Sequence, residues 1–245
     1  MPPTKPRWEG AIGLLAAQRP EYAGADRRVL KFTPGFFLRY GRLTVTNVSG
    51  FRTRSEGEVA RGASLDLLSN PRMRLSLALR LDRGRDEGSA AAFRGLGDVR
   101  TTVRLHANLQ WRLGGPLSLG ANWNLDALGK GGGHGGSVGL GWDMPLDPRS
   151  AIHWYGGVSL AGDRYMQSYF GVTPEQAAVS GYPVYQPRAG LRAAEVNISY
   201  RTDLAPDWLL IASVSASHLL GPAAASPLTR KLDGWEVRSG VAWRF

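Results

Sequence analysis

The chain has 245 residues, 43% of them apolar, with 32 glycines, 15 prolines and no cysteine, so one large all-β domain fits and disulfides, thiolate metal sites and cysteine nucleophiles are excluded together. No apolar run approaches the roughly 18 residues that a spanning helix needs, whereas a barrel whose outward and inward residues alternate is compatible with the mean hydropathy of −0.22. The net charge of +10 comes from scattered Lys and Arg, not from one basic helix face; no nucleic-acid partner is expected, and anionic lipopolysaccharide or glycan fits the charge equally well.

The first residues, Met1 to Pro6, contain no apolar signal core, so any secretion signal is expected to have been removed or replaced. Residues 1–7 are read as an extension ahead of a single barrel domain. Strand candidates follow at Trp8 to Ala16, Leu30 to Tyr40, Leu43 to Val48 and Ser64 to Leu68. The alternation then becomes clear: Met73, Leu75, Leu77, Leu79 and Leu81 are set against Arg72, Arg74, Ser76, Ala78, Arg80 and Asp82. Val103 to Trp111 alternates with Arg104, His106, Asn108, Gln110 and Arg112, and after Leu113 to Pro116 the pattern resumes over Leu117 to Asp126, a hairpin with a tight turn. Further runs are Val138 to Met144, Ile152 to Leu160, Ala194 to Tyr200 and Trp208 to Ala216. The last is Trp235, Val237, Ser239, Val241, Trp243 and Phe245, set against Glu236, Arg238, Gly240, Ala242 and Arg244. The expected fold is an all-β, antiparallel up-and-down transmembrane barrel of about twelve strands.

Short turns are expected at Arg39-Tyr40-Gly41, Ser69-Asn70-Pro71, Gly114-Gly115-Pro116, Pro145 to Pro148 and Leu204 to Asp207. Between them come longer loops at Arg83 to Asp98, Gly129 to Gly136, Asp163 to Gly190 and Gly221 to Gly234. This is the asymmetry of short periplasmic turns and longer extracellular loops in outer-membrane barrels.

A soluble barrel would also alternate, with its apolar series inward. All eight tryptophans, Trp8, Trp111, Trp123, Trp142, Trp154, Trp208, Trp235 and Trp243, fall in the apolar series, most at short-turn ends of strands. Amphipathic indoles at strand ends suit a membrane-interface girdle. The ending Trp243-Arg244-Phe245 resembles the insertion signal read by the barrel-assembly machinery. With the apolar series facing lipid, the lumen is lined by Arg72, Arg74, Arg80, Arg104, His106, Arg112, Asp126, Asp143, Glu195, Arg201, Glu236, Arg238 and Arg244, together with Glu9 and Asp82. These charges are either wall pairs in a wet interior or the lining of an anion-favouring conduit. At the seam, Glu9 and Arg244 are expected to be near cross-strand neighbours. Tyr165, Met166, Tyr169 and Phe170, in the longest loop, are candidates for a constriction folded into or across the mouth.

The stretch Arg94-Gly95-Leu96-Gly97-Asp98, the loop Asp163 to Ala177 with its Tyr169-Phe170-Gly171-Val172 core, and Leu219-Leu220-Gly221 with Ser226-Pro227-Leu228 resemble the MipA/OmpV family. The likeness extends from Trp8, through the turn Pro20 to Asp26, to Phe245. It implies an outer-membrane protein that links a murein lytic transglycosylase to a murein synthase, or a porin or adhesin. The family supplies no catalytic residue to carry over.

Candidate chemistry is sparse. His106 falls in the lumen series near Ser76 and Asp126, and His153 is similar; both read better as hydrogen-bonded wall residues than as acid-base catalysts. His134 lies within a glycine run that lacks the Lys-Ser/Thr and helix of a phosphate loop, and His218 belongs at the interface. No spacing suggests a metal. The sequence therefore points to a protein that is not an enzyme and has no cofactor. Its expected partners are the lipid bilayer, lipopolysaccharide, the assembly machinery and, by resemblance, the two murein enzymes. Its role is as a scaffold, with a small-solute channel or an adhesin as alternatives.

Overall fold

The structure, a computed structural model, describes residues 8–48 and 61–245; the proposed extension at residues 1–7 lies outside them. Twelve antiparallel strands close into one barrel in chain order. They are β1 (Trp8–Pro20), β2 (Arg28–Tyr40), β3 (Leu43–Thr46), β4 (Gly62–Ser69), β5 (Met73–Asp82), β6 (Thr102–Gly114), β7 (Leu117–Asp126), β8 (His134–Pro145), β9 (Ser150–Ala161), β10 (Gly190–Ala205), β11 (Trp208–Leu219) and β12 (Asp233–Arg244). Closure gives every described strand two neighbours, which is what allows strands to satisfy their backbone groups inside a bilayer. The turns at one end contain two to four residues, whereas the other end carries the long connections.

Burial decides which series faces out. All eight tryptophans are exposed, from 40% at Trp243 to 57% at Trp8, and so are Leu77, Leu79, Leu81, Val138, Leu140, Val196 and Val214 from the same series. A soluble barrel would bury these side chains. Six of the indoles form the short-turn girdle: Trp8 stacks on Tyr40, Trp142 lies opposite Trp154, Trp208 lies opposite Trp243, and Trp111 lies opposite Met73. Trp123 and Trp235 are near the long-loop end, where the first stacks on His134 and the second lies under the Arg28 guanidinium.

Phe245 extends the wall beyond β12. Its backbone exchanges hydrogen bonds with Gly10 at 3.0 and 3.1 Å, and its ring covers Gly10 so closely that a Cβ there would lie 2.3 Å from it. Gly10→Val should therefore unseat the terminal ring and cost about 1–3 kcal/mol, read as a lower urea midpoint for the folded barrel.

The seam register differs from the sequence expectation. Arg244 lies opposite Ala11, not Glu9, and its guanidinium reaches across β11 to Asp203 on β10 at 2.8 Å. The cross-strand neighbour of Glu9 is Arg39 on β2. The Phe245–Gly10 hydrogen bonds continue this same register, which sets Arg244 two residues along β1 from Glu9.

β3 is the shortest strand. Beyond it, the Asn47 side chain accepts from the Phe36 N–H and donates to the Pro34 carbonyl, replacing ladder partners on β2. Val48 then turns into the lumen, where it is buried against the inward residues Ala11, Leu15, Phe37, Leu209, Ile211 and Ala242. The β1, β2, β11 and β12 side of the interior thus has an apolar lining that is filled by the chain itself.

Candidate functional site

The inward charges are arranged in pairs. Asp66 on β4 is 4% exposed; Arg74 on β5 grips it with two hydrogen bonds of 3.0 and 2.8 Å, and Arg39 on β2 adds a third at 3.3 Å. Arg104 donates to Asp82, to Asn124 at 2.9 Å and to the Gly132 carbonyl at 2.7 Å. His153 meets Asp143 at 2.8 Å, Arg192 meets Glu195 at 2.8 Å, and Arg238 donates to Glu236. Asp126 instead ties down the β7–β8 connection, accepting from the Thr102 hydroxyl and from the Gly132 N–H. These acids are thereby compensated for their removal from bulk water, whereas the buried Oε2 of Glu9 accepts no hydrogen bond from the described residues.

A cavity of about 520 Å³ borders the Val48 cluster at Ile211 and is lined by small polar residues such as Ser76, Asn108, Asn122, Ser137 and Ser213, with Arg74, Arg201 and Arg238 among them. A second cavity of about 290 Å³ lies toward the long-loop end, beneath Tyr22 and Ala23 of the β1–β2 connection. Tyr155, Glu195, Asn197 and Ser215 line both.

The long connections form a folded roof. The longest contains two helices, α1 (Asp163–Phe170) and α2 (Pro174–Ser180), and the β11–β12 connection contains a short third, α3 (Gly221–Ala224). Met166 and Phe170 of α1, 0% and 3% exposed, pack on the inward ends of β9, β10 and β11 at Ala161, Ala193 and Leu219, and on Ala223 of α3. Above this layer a second one joins Phe93 and Leu96, Val172, and Leu228, with Tyr22, Tyr182 and Tyr185 against them. Arg85, 6% exposed, links the layers by donating to the carbonyls of Ser168, Leu96 and Gly97. Burial foremost, and then the Asp82 carboxylate, pushes the Tyr169 hydroxyl up to about 12, so this group faces the lumen charges as a neutral phenol.

α2 begins with a capping box: the Thr173 hydroxyl accepts from the Gln176 N–H, while the Gln176 side chain accepts from the Thr173 N–H. Thr173→Ala should cost the helix about 1 kcal/mol, measured as faster amide exchange over residues 174–180 with barrel exchange unchanged.

The candidate residues fall into several places. Arg74, Asp143, Glu195, Arg201, Glu236 and Arg238 belong to the paired or cavity-lining set, and Arg80, Arg104, His106 and Asp126 lie on β5, β6 and β7 toward the long-loop end. Arg72 and Arg112 require correction. Arg72 precedes β5 in a turn closed by the Asn70 side chain, and the exposed Arg112 donates to the Pro71 carbonyl, so both lie on the short-turn rim. The glycine run around His134 is half strand, since β8 begins at His134. Tyr165, Met166, Tyr169 and Phe170 share α1, and the mouth they cover is that above β9 to β11.

Sequence reasoning missed four elements of this site. Asp66 lay hidden in the weak Ser64 to Leu68 strand. Tyr155 and Arg192 stand beside disturbances of the alternation, the Gly156-Gly157 pair and a register shift between Leu191 and Ala193. Of the helices, α2 was signalled by Thr173-Pro174-Glu175-Gln176 with Gly181 beyond, which is helix-start and helix-stop chemistry.

A family model described as MltA-interacting protein MipA matches residues 12–245. Among curated proteins, none matches. Among solved structures, a bacterial polysaccharide outer membrane secretin superposes with a TM-score of 0.51 at 10% identity, covering 96% of this chain and 98% of that one. The NanC porin gives 0.46 at 9% identity, with 95% and 98% covered. The KdgM porin gives 0.44 at 9% identity, with 96% and 99% covered. At these identities the likeness is one of fold.

Proposed function

We propose, from the premise that the chain belongs to the MipA family, that it is a bacterial outer-membrane barrel whose roofed polar lumen admits small polar solutes without chemical change. The observation that carries this reading is the pair of polar cavities meeting at Tyr155, left open beside the wall that Val48 fills. Twelve strands suit such a narrow lumen, between the side-chain-filled eight and the open sixteen. Because Asp66, Asp82 and Glu236 on the wall each engage an arginine, the lumen supports weak ion selectivity better than an anion-favouring ring of arginines. The outward indoles support placement in a bilayer, with Trp243 and Phe245 offered to the assembly machinery. Arg28 and Arg83 at the long-loop end face the lipopolysaccharide leaflet. Swelling of proteoliposomes tests the reading: glycerol and monosaccharides should enter faster than in protein-free vesicles and large oligosaccharides should not. Equal rates with and without protein would end it.

The second reading, a scaffold for murein synthesis and hydrolysis, is favoured by the family's description as MltA-interacting. Its periplasmic surface would consist of turns of two to four residues, less than a standard-sized interface requires. Immobilised barrel that fails to retain a purified murein lytic transglycosylase would remove it.

A further inference from the structure

We infer that the lumen contains a saccharide site centred on Tyr155, in which a neutral pyranose ring stacks on the tyrosine and bonds through its hydroxyls to the amides and hydroxyls beside it. The inference rests on the solute-admitting reading of the lumen and names its ligand class.

Glycines seat the Tyr155 ring. Tyr155 points inward from β9, and its ring lies flat along the wall. A Cβ at Gly139 of β8 would lie 2.7 Å from the ring carbon Cζ and from the hydroxyl oxygen, one at Gly157 would lie 2.6 Å from that oxygen, and one at Gly120 of β7 would approach the ring at 3.9 Å. A Cβ would also meet backbone there, the Gly156 carbonyl oxygen at 2.5 Å from Gly139 and the Val138 carbonyl oxygen at 2.6 Å from Gly157, so a larger residue at either position would crowd both the ring and the neighbouring strand. Glycine here is what seats an aromatic face against bare backbone, at a cost to strand stability that a packing role offsets. The opposite face borders the lumen at the one level shared by both cavities, so a solute moving between them passes over it.

Hydrogen-bonding groups without net charge surround that face. Asn197 donates to the Ser215 hydroxyl at 2.8 Å, which leaves the amide oxygen and the hydroxyl proton to serve a ligand. Asn122 donates to Ser137 on the neighbouring strands. Beside the ring Glu195 is matched by Arg192 and Glu236 by Arg238, so these four charges leave an acidic sugar no partner there. A flat apolar face within a rim of neutral donors and acceptors is complementary to a pyranose, which has a C–H face and a hydroxyl edge.

Calorimetric titration of the full chain in detergent micelles with maltose tests the proposal without requiring conduction. Maltose should bind, Tyr155→Phe should bind equally well, and Tyr155→Leu, which removes the flat face, should bind about tenfold more weakly. Gly139→Val, which crowds the ring and the β9 backbone behind it while keeping the tyrosine, should also weaken binding. Digalacturonate should bind less well than maltose. No heat with maltose, Tyr155→Leu binding like the parent chain, or tighter binding of digalacturonate overturns the proposal. Maltose binding by a barrel that does not swell liposomes would remove the transport reading and leave the site. Swelling without maltose binding would do the reverse.

Discussion

Replacing Asp66 with alanine is expected to destabilise the barrel by about 3–5 kcal/mol, because it removes the buried carboxylate that two guanidinium groups engage. The carboxylate is almost wholly buried and takes both hydrogen bonds of a bidentate Arg74 and one from Arg39. The loss should appear as a lower urea midpoint for the folded barrel in lipid vesicles, without a change in slope. A triple variant, Asp66→Leu with Arg39→Met and Arg74→Met, removes the charges together and should recover most of the loss, since apolar replacement of a buried ionic cluster is often neutral. A loss below about 1 kcal/mol for Asp66→Ala would mean that water screens the cluster as it does surface pairs.

Replacing Met166 with aspartate should open the roof and leave the barrel standing. Met166 is 0% exposed among Ala161, Phe170, Ala193, Leu219 and Ala223; losing such a methionine to alanine already costs about 2–5 kcal/mol, and a carboxylate adds desolvation. The strand ladder does not depend on α1, so the helix leaves its seat while the barrel remains closed. Two changes follow: proteases should cut within 162–189, and single-channel conductance should rise. Met166→Leu, close in volume, should do neither. Cleavage with unchanged conductance would show that α1 covers the mouth without restricting flow.

Much of the architecture was legible because side-chain direction in a strand has a period of two. From Met73 onward that period identifies most strands, the outward face and the short turns, and the parity of the tryptophans separates membrane from soluble barrel. The early strands read weakly for physical reasons. β3 has four residues, and Asn47 takes over its ladder duties, so no long alternation could develop; the inward series there is apolar, with Ala11, Leu15 and Phe37 packed by Val48. A two-faced apolar strand has no visible period. The lumen charges could be placed on a face, but not paired, because Arg74 with Asp66 and Arg244 with Asp203 depend on register and reach. Tyr155 was invisible for a related reason. Its role comes from the absence of side chains at Gly139 and Gly157, one on the next strand and one two residues along, and a list of chemically active residues passes over glycine.

The lumen is a polar passage beside the Val48 cluster, covered on one side by α1, with most of its acids held in ion pairs. Planar-bilayer recording of the unmodified chain in a salt gradient tests it most directly. The account predicts small, discrete conductance steps with a reversal potential near zero. A silent membrane with correctly folded protein inserted, or a reversal potential close to that of a purely anion-selective pore, would contradict it.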